Sequence, residues 1–247
     1  MLTLYVDESI NAATGMCFVG GWCGQTAQWK EYARRWKEEM HSRPPLHLTR
    51  MRLGSPIAVS RYKGLLERLG TIPSECGLFP IAGSIRKSDF QSLVSGTALE
   101  VLMEPYVLAL LALLDELGAI LHERERVKVY FERQDIHAEL RKRAVIFWKR
   151  RYRVPAGWSV IDEWGVVPKG TTTEASDYLC YALTQRCMDI DSQKSQLTAP
   201  ILTTPMYWRH QNKAMINKWL DEIRASRTRP IPRLTLQVKK AVRQPQE

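Results

Sequence analysis

The chain has 247 residues, of which 45% are hydrophobic, so it can bury a full core and is not expected to be disordered. Its formal net charge is +10, and most of that excess lies in Ile201–Glu247, which holds ten Lys/Arg and three Asp/Glu. A second basic run, Arg141–Arg153, contains seven Lys/Arg and no acid. Concentrated positive charge favours a polyanionic partner such as nucleic acid, and the alternative is a basic surface without a specific ligand.

Cysteine and hydropathy patterns exclude several classes of protein. Five cysteines without a Cys-x-x-Cys pair predict neither a disulfide framework nor a structural zinc site. The longest apolar run, Pro105–Leu114, is about half as long as a membrane-spanning helix. The sequence opens on a strand pattern without a leader, and we therefore expect a cytoplasmic protein with no membrane partner.

The first part of the chain predicts a β-hairpin, two amphipathic helices and a third strand. The predicted ranges are Leu2–Asp7 and Met16–Cys23 for the hairpin strands, Gln25–His41 and Val59–Leu69 for the helices, and Gly77–Ile85 for the third strand. Apolar and polar residues alternate along the first strand, and the turn Asn11–Gly15 joins it to the second. Pro80 has no N–H to donate, which favours an edge position for the third strand.

The second part of the chain predicts alternating helices and strands. The predicted ranges are Ala98–Arg124 (a buried helix), Val127–Glu132 (strand), Ile136–Arg151 (helix), Trp158–Ile161 (strand), Thr171 to about Met188 (a helix with a Thr171–Glu174 capping box) and Tyr207–Ala225 (helix). This order predicts an α/β fold with a mixed five-stranded sheet, antiparallel in its first three strands and continued by β-α-β crossovers, with helices on both faces. We predict one domain over residues 1–225, with a helical insertion at about 25–70, and a flexible basic tail over 226–247.

Two predicted strands, Leu-Thr-Leu-Tyr-Val-Asp and Val-Lys-Val-Tyr-Phe-Glu, are near copies that end in Asp7 and Glu132. If they are parallel neighbours in register, their carboxylates are one strand spacing apart, about 4.8 Å, and repel each other unless a cation or a proton compensates. Asp177 lies in the second turn of its helix, which can bring it over the same sheet end. Carboxylates with open positions typically bind Mg²⁺ or Mn²⁺. Each acid taken alone also fits a structural role, at a turn or near a helix N-terminus.

The segment Tyr5-Val6-Asp7-Glu8-Ser9 resembles the opening Tyr-x-Asp-Glu-Ser-Gly strand of a large prokaryotic family known as domain of unknown function 3800. Three further segments resemble this family in the same order over residues 2–185. They are Gly20-Gly21, Leu46-His47 and the Ala-Ser-Asp-Tyr-Leu-Cys-Tyr-Ala run at 175–182. The resemblance implies a ribonuclease H-like fold, in which acids on the first strand, the fourth strand and a late helix bind two metal ions for phosphodiester hydrolysis. Carried over to this chain, those acids are Asp7, Glu132 and Asp177.

The chain departs from the family pattern at two positions. Ile10 stands where the family has Gly after Ser, so the hairpin turn must be built differently, through Asn11–Gly15. Glu174 stands where the family has Gln, three residues before the helix Asp. A carboxylate there is either an extra metal ligand or part of the capping box, and we favour the cap.

These observations together predict a divalent-metal-dependent nuclease with two Mg²⁺ or Mn²⁺ ions. Asp7 is predicted to bridge the ions, with Glu132 and Asp177 each completing one side. Candidates for further ligands are Glu8, Asp162 and Glu174. The alternative is a non-catalytic nucleic-acid-binding or scaffolding protein on the same fold. A phosphotransferase or ATPase ranks last because the chain has no Gly-rich phosphate-binding loop.

Basic residues near the predicted site are candidates for contacts to DNA or RNA. They are His47, Arg50, Arg141, Lys142, Lys149, Arg150, Arg151 and Lys169. Lys169 is also a candidate for neutralising charge in the transition state. Phe147, Trp148 and Tyr152 interleave with the basic run as in grooves that stack bases, although Ile146, Phe147 and Trp148 fit a buried face equally well. No residue pattern indicates base-specific readout, and a protein partner or a homodimer stays open.

Overall fold

The strands form one mixed sheet. A computed structural model describes residues 1–11, 14–41, 43–46, 48–51, 55–94, 104–121, 125–132, 141–142, 144–146, 148, 161–188, 192–218 and 221. Within these residues the strands are β1 Leu2–Ile10, β2 Met16–Gln25, β3 Phe79–Arg86, β4 Val127–Glu132, β5 Ile161–Val167 and β6 Tyr207–Gln211. Their order is β5-β4-β1-β2-β3-β6; β2 is antiparallel to β1 and β3, and the other neighbouring pairs are parallel. The predicted α/β class with a mixed sheet is confirmed.

Helices cover both faces of this sheet. They are α1 Thr26–Met40, α2 Pro56–Glu75, α3 Lys87–Val94, α4 Pro105–Ile120, α5 Thr171–Met188 and α6 Gln193–Thr198, with 3-10 turns at Leu48–Met51 and Ala199–Leu202. The apolar helix α4 packs against one face, where its leucines meet Leu4, Val6 and Ile81. On the other face, Trp22 and Ala82 of the sheet are buried in one cluster with residues of α1, α2 and α5. Two cores therefore sandwich the sheet, as the sequence predicts.

The predicted hairpin is confirmed, and its turn explains how the chain manages without a Gly after Ser9. The Asn11 N–H donates to the Met16 carbonyl over 3.1 Å, and the Asn11 Oδ1 accepts from the Thr14 N–H over 3.0 Å. Gly15 has a φ of 63°, a conformation that costs glycine least. The side chain of Asn11 and the backbone freedom of Gly15 therefore reverse the chain, with residues 12–13 outside the described part.

The prediction of five strands is wrong, because residues 207–211 form a sixth strand and not the start of a helix. The aromatic residues Tyr207 and Trp208 suit a strand, and β6 pairs in parallel with β3 from Ile81 to Ile85. Helical residues follow only at 213–218. The added strand also makes β3 an interior strand, contrary to the edge position inferred from Pro80. That proline is tolerated because it lies one residue before the segment paired with β6.

Other predicted elements agree with the structure where it describes them. The helices predicted at 25–41 and 59–69 are α1 and a longer α2. The buried helix predicted at 98–124 is α4, which is shorter, with the non-helical caps Glu104 and Leu121. The fifth strand begins at Ile161, where its predicted range ends, and residues 158–160 lie outside the described part. The described residues between 141 and 148 are helical, as predicted. The predicted tail over 226–247 lies outside the described residues. In the part of the chain that the structure describes, no helix has the length and apolar character needed to cross a membrane.

Gln211, the last residue of the edge strand β6, has a buried side-chain amide whose placement can be tested by substitution. Its side chain is fully buried, and neither its Oε1 nor its Nε2 has a hydrogen-bond partner in the described structure. An unpaired buried amide costs about 1–3 kcal/mol, so Gln211→Met should raise the free energy of unfolding by about 1 kcal/mol in urea denaturation. Gln193→Met, at an exposed position of α6, should change nothing. A loss of stability in Gln211→Met would contradict the buried, unpaired placement of this amide.

Candidate functional site

Asp7 and Glu132 lie at the same end of two neighbouring strands. β1 and β4 are parallel, with Tyr5 opposite Tyr130 and Val6 opposite Phe131, so the two acids are the next residues along. The rings of Tyr5 and Tyr130 stack with centroids 5.6 Å apart, which fixes this register. Asp7 is 4% exposed and Glu132 is 6% exposed. The structure therefore meets the condition of the sequence argument, that the two strands are parallel neighbours in register.

Helix α5 brings Asp177 to this pair. The Ser176 hydroxyl donates to the Tyr5 carbonyl over 2.8 Å, and the Cys180 thiol donates to the Asp7 carbonyl over 3.2 Å. A Cβ on Gly20 would lie 3.1 Å from the Cys180 Sγ, so the helix rests closely on the sheet there. These contacts hold α5 against β1 on both sides of Asp177 in sequence.

The resulting cluster is strongly anionic around Asp7. Burial is the largest cause that raises the pKa of Asp7 well above its usual range, and the carboxylates of Asp177, Glu8 and Glu132 raise it further. The Oε2 of Glu132 is buried and has no hydrogen-bond partner in the described structure. Asp7, Glu132 and Asp177 therefore lie near one another at the carboxyl ends of the strands, and one oxygen of Glu132 has no hydrogen-bond partner there.

Lys169 supplies a positive charge to this cluster. Its Nζ lies 3.1 Å from the Asp177 Oδ2 and 3.5 Å from the Glu132 Oε1, and its side chain is 23% exposed. Burial would lower the pKa of Lys169, but Asp177 and Glu132 outweigh it and raise that pKa above the usual value. The segment between β5 and α5 carries this lysine. Its ammonium is therefore a counter-ion of the acids. We call these four residues (Asp7, Glu132, Asp177 and Lys169) the Lys169–acid cluster.

Arg141 ties the ends of β1 and β4 to helix α4. Its Nη2 donates to both carboxylate oxygens of Glu8 over 3.0 and 3.1 Å, its Nη1 donates to the Glu132 carbonyl over 2.6 Å, and its Nε donates to the Tyr106 hydroxyl over 3.0 Å. The side chain of Arg141 is fully buried. The structure thereby corrects two predictions. Arg141 cannot reach a phosphate, and Glu8 is committed to Arg141 on the strand face opposite to Asp7, so it is not an outer metal ligand.

Glu174 and Asp162 also differ from their predicted roles. The Glu174 Oε2 accepts from the Trp36 indole over 2.8 Å and from the Leu46 N–H over 3.2 Å, so this acid joins α5 to α1 and neither completes a capping box nor faces the cluster. Asp162 is exposed and pairs with Arg126 at the amino end of β5. Glu132 lies opposite Val167, at the carboxyl end of β5. Asp162 is at the amino end of that strand, too far along it to be a ligand.

The structure describes only part of the predicted nucleic-acid surface. Lys142 is exposed, as that prediction requires. Trp148 is fully buried and donates its Nε1 to the Asp115 Oδ1 over 3.2 Å, so it cannot stack a base. Phe147 and Tyr152 lie outside the described residues. So do His47, Lys149, Arg150, Arg151 and the side chain of Arg50.

The donor atoms of the cluster are of the kind that a hard divalent cation binds, but in this structure they are too far apart to hold one. Its donors are carboxylate oxygens, the ligands that Mg²⁺ and Mn²⁺ prefer, and one oxygen of Glu132 has no partner. In the described residues, however, no three His, Cys, Asp or Glu side chains stand close enough to hold an ion. Lys169 bonds Asp177 and contacts Glu132. A metal ion would therefore require this ammonium to move.

Comparison with protein-family models and with curated proteins gave no match. The resemblance to the family of domain of unknown function 3800 and the ribonuclease H-like fold therefore remain predictions. Sequence reasoning missed the hydrogen bonds of Arg141 to Glu8 and of Glu174 to Trp36. Their partners are 133 and 138 residues apart in sequence, and no local pattern connects them.

Proposed function

We propose that this protein is a divalent-metal-dependent nuclease that hydrolyses nucleic-acid phosphodiesters on a ribonuclease H-like fold. The observation that carries the proposal is the convergence of Asp7 and Glu132 with Asp177 at the carboxyl edge of parallel strands. Open α/β sheets bind their ligands at that edge. When bound, Mg²⁺ or Mn²⁺ would activate the attacking water and stabilise the leaving oxygen. The family resemblance implies the same three acids.

Two residues of the chain, Arg141 and Lys169, would have supporting roles in this reaction. Arg141 holds the Glu132 backbone and Glu8 in place, which fixes the spacing of the two strand ends. Lys169 compensates the acids when no ion is bound, and its long side chain and partial exposure allow it to turn outward. Turned outward, its ammonium would meet a phosphate of the substrate. Lys169 would thus exchange one anionic partner for another.

A second candidate function is non-catalytic binding of nucleic acid. The contacts of Lys169 with Asp177 and Glu132 favour it, because they already neutralise part of the acid cluster without a metal ion. In that case the cluster would be a buried ion-pair network that holds β4 and α5 together. The protein would bind nucleic acid and leave it intact.

Calorimetric titration with Mn²⁺ and Mg²⁺, followed by incubation with mixed DNA and RNA substrates, separates the two candidates. The wild type is expected to bind the metal and to cleave. Asp7→Asn should lose both, with cleavage falling to the level of the protein-free sample. Asp162→Asn is the matched control, because this acid is exposed at the opposite edge of the sheet, and it should keep both activities. Nucleic-acid binding with neither metal uptake nor cleavage in the wild type would overturn the nuclease and leave the binding protein.

A further inference from the structure

A second feature lies on the same sheet face as the acid cluster. Residues opposite one another in register share a face, and Asp7 is opposite Gly20, which is opposite Ala82, which is opposite Trp208. Trp208 is therefore level with Asp7 and on the same side of the sheet, three strand spacings or roughly 14 Å away. It lies on β6, the edge strand, and is 44% exposed.

The exposed indole of Trp208 is held in a fixed orientation. Its Nε1 donates to the hydroxyl of Ser84 over 2.9 Å, and Ser84 is fully buried. The same hydroxyl lies 3.0 Å from the Nδ1 of His210. The ring of Phe18 packs below the indole with a centroid distance of 6.0 Å. An aromatic ring fixed from below loses little conformational entropy when a planar group stacks on it.

Exposed cations lie at the carboxyl ends of β3 and α5 and just after the end of β6. They are Arg86, Lys87, Arg186 and Lys213. None of them forms an ion pair with an acid in the described part of the chain, which leaves them available to a partner. We call these cations, together with Trp208 and His210, the Trp208 corner.

Arg86 lies close enough to His210 and to Cys187 to influence the pKa of both side chains. Burial is the main cause that lowers the pKa of His210, Arg86 lowers it further, and Asp89 opposes them. Burial raises the pKa of Cys187, against the effect of Arg186 and Arg86. Arg86 therefore lies near both His210 on β6 and the end of α5, while Asp89 is the acid that faces His210. Among the described residues the exposed cations outnumber this acid, which gives that part of the corner a net positive charge.

We propose that the Trp208 corner binds a single-stranded segment of the nucleic acid, with one base stacked on Trp208 and the adjoining phosphates against Arg86 and Arg186. Helix α5, which packs on Gly20 between Asp7 and Trp208, separates the corner from the Lys169–acid cluster, so a strand that serves both passes around the carboxyl end of α5. A fixed aromatic ring combined with unpaired cations is the composition of surfaces that follow single strands. A duplex keeps its base faces stacked inside and offers none to Trp208. This inference rests on the proposed function and adds the form of the substrate.

Fluorescence anisotropy in EDTA with a labelled single-stranded oligonucleotide and its duplex measures binding apart from cleavage. Trp208→Ala should weaken single-strand binding roughly 5- to 150-fold, the effect of losing one stacked base. Tyr207→Ala is the matched control, because Tyr207 is equally exposed, at 45%, on the other face of β6, and it should bind normally. The double variant Arg86→Gln/Arg186→Gln, which changes only exposed side chains, should reduce the slope of log affinity against log salt by about 1.4.

Several results would overturn this inference. They are unchanged single-strand binding in Trp208→Ala or in the double arginine variant, equal losses in Trp208→Ala and Tyr207→Ala, and duplex binding as tight as single-strand binding. An acidic peptide that displaces the oligonucleotide only from protein with an intact Trp208 would assign the corner to a protein partner instead. Because EDTA removes the metal, a protein that binds as expected here but never cleaves with Mn²⁺ refutes the nuclease and leaves the Trp208 corner standing. If the wild type cleaves nucleic acid but Trp208→Ala binds single strands as tightly as the wild type, only the proposal for the Trp208 corner is refuted.

Discussion

Arg141→Met should lower the free energy of unfolding by about 3–5 kcal/mol, the cost of removing one partner from a buried ion pair. The guanidinium is fully buried and donates to Glu8, to the Glu132 carbonyl and to the Tyr106 hydroxyl. Methionine fills similar volume but leaves a buried carboxylate and a buried carbonyl without their donor. Urea denaturation measures the loss, and Lys142→Met, one residue along and exposed, should stay within about 0.5 kcal/mol of wild type.

The pH dependence of this loss of stability should show that it comes from the buried carboxylate of Glu8. Burial raises the pKa of Glu8, and Arg141 opposes that increase. Without Arg141 the pKa of Glu8 rises further, so the folded state takes up a proton more readily than the unfolded state, and the deficit should shrink as the pH falls. The double variant Glu8→Gln/Arg141→Met should recover part of the stability at neutral pH. A deficit that is independent of pH and unchanged by Glu8→Gln would place the cost elsewhere.

The positions of Asp7 and Glu132 could be predicted because they depend on a repeating pattern. Both strands alternate with a period of two, and each ends in a carboxylate two residues after a tyrosine. Once the strands are parallel neighbours, the period fixes which face each side chain occupies. The Tyr5–Tyr130 stack and the adjacent acids follow from that register. Local sequence therefore determined half of the candidate site.

Arg141 could not be predicted because its environment is decided by distant residues. In sequence it is the first of a run of basic residues, which is typical of a surface that binds phosphates. In the structure its neighbours are Glu8 and Tyr106, 133 and 35 residues away. A charged side chain is buried only where such partners converge, and that convergence is a property of the tertiary fold. The same holds for Glu174, whose partners belong to α1 and to the segment before the first 3-10 turn.

Strand β6 was missed because it is short and lies next to a helical pattern. Five residues are too few for alternation to be distinguished from the start of an amphipathic helix. Its absence from the predicted topology also produced the wrong position for β3, since Pro80 then favoured an edge. The Trp208 corner depends on β6, so the sequence alone could not place that tryptophan on the same sheet face as Asp7.

Lys169→Met should lower the stability of the metal-free protein by about 1.5–3 kcal/mol, the usual worth of a hydrogen bond to a charged group. The substitution removes the ammonium that lies 3.1 Å from Asp177 and 3.5 Å from Glu132 and leaves the acids to repel one another. Lys128→Met removes a surface ion pair to Glu163 and should cost less than about 1 kcal/mol, which makes it a matched control. Thermal and urea unfolding in EDTA measure both variants.

Divalent metal should reverse the effect of Lys169→Met, because the proposal gives the ion and the ammonium the same carboxylates. Mn²⁺ at about 100 times its dissociation constant adds about 2.7 kcal/mol to the free energy of unfolding of a protein that binds the ion only when folded. Because Lys169→Met has no ammonium that competes for the carboxylates, it should bind Mn²⁺ more tightly. It should therefore gain more stability than the wild type at the same Mn²⁺ concentration. Burial and the neighbouring carboxylates already raise the pKa of Asp7. In metal-free protein, stability should therefore fall as the pH rises through that raised pKa, over a range that extends to higher pH in Lys169→Met. Asp7→Asn should remove this contribution and leave only that of Glu8, whose pKa is also raised. A variant that loses stability but gains nothing from Mn²⁺ would show that the cluster is a structural ion-pair network, because a metal site freed of its competing cation must bind the ion more tightly.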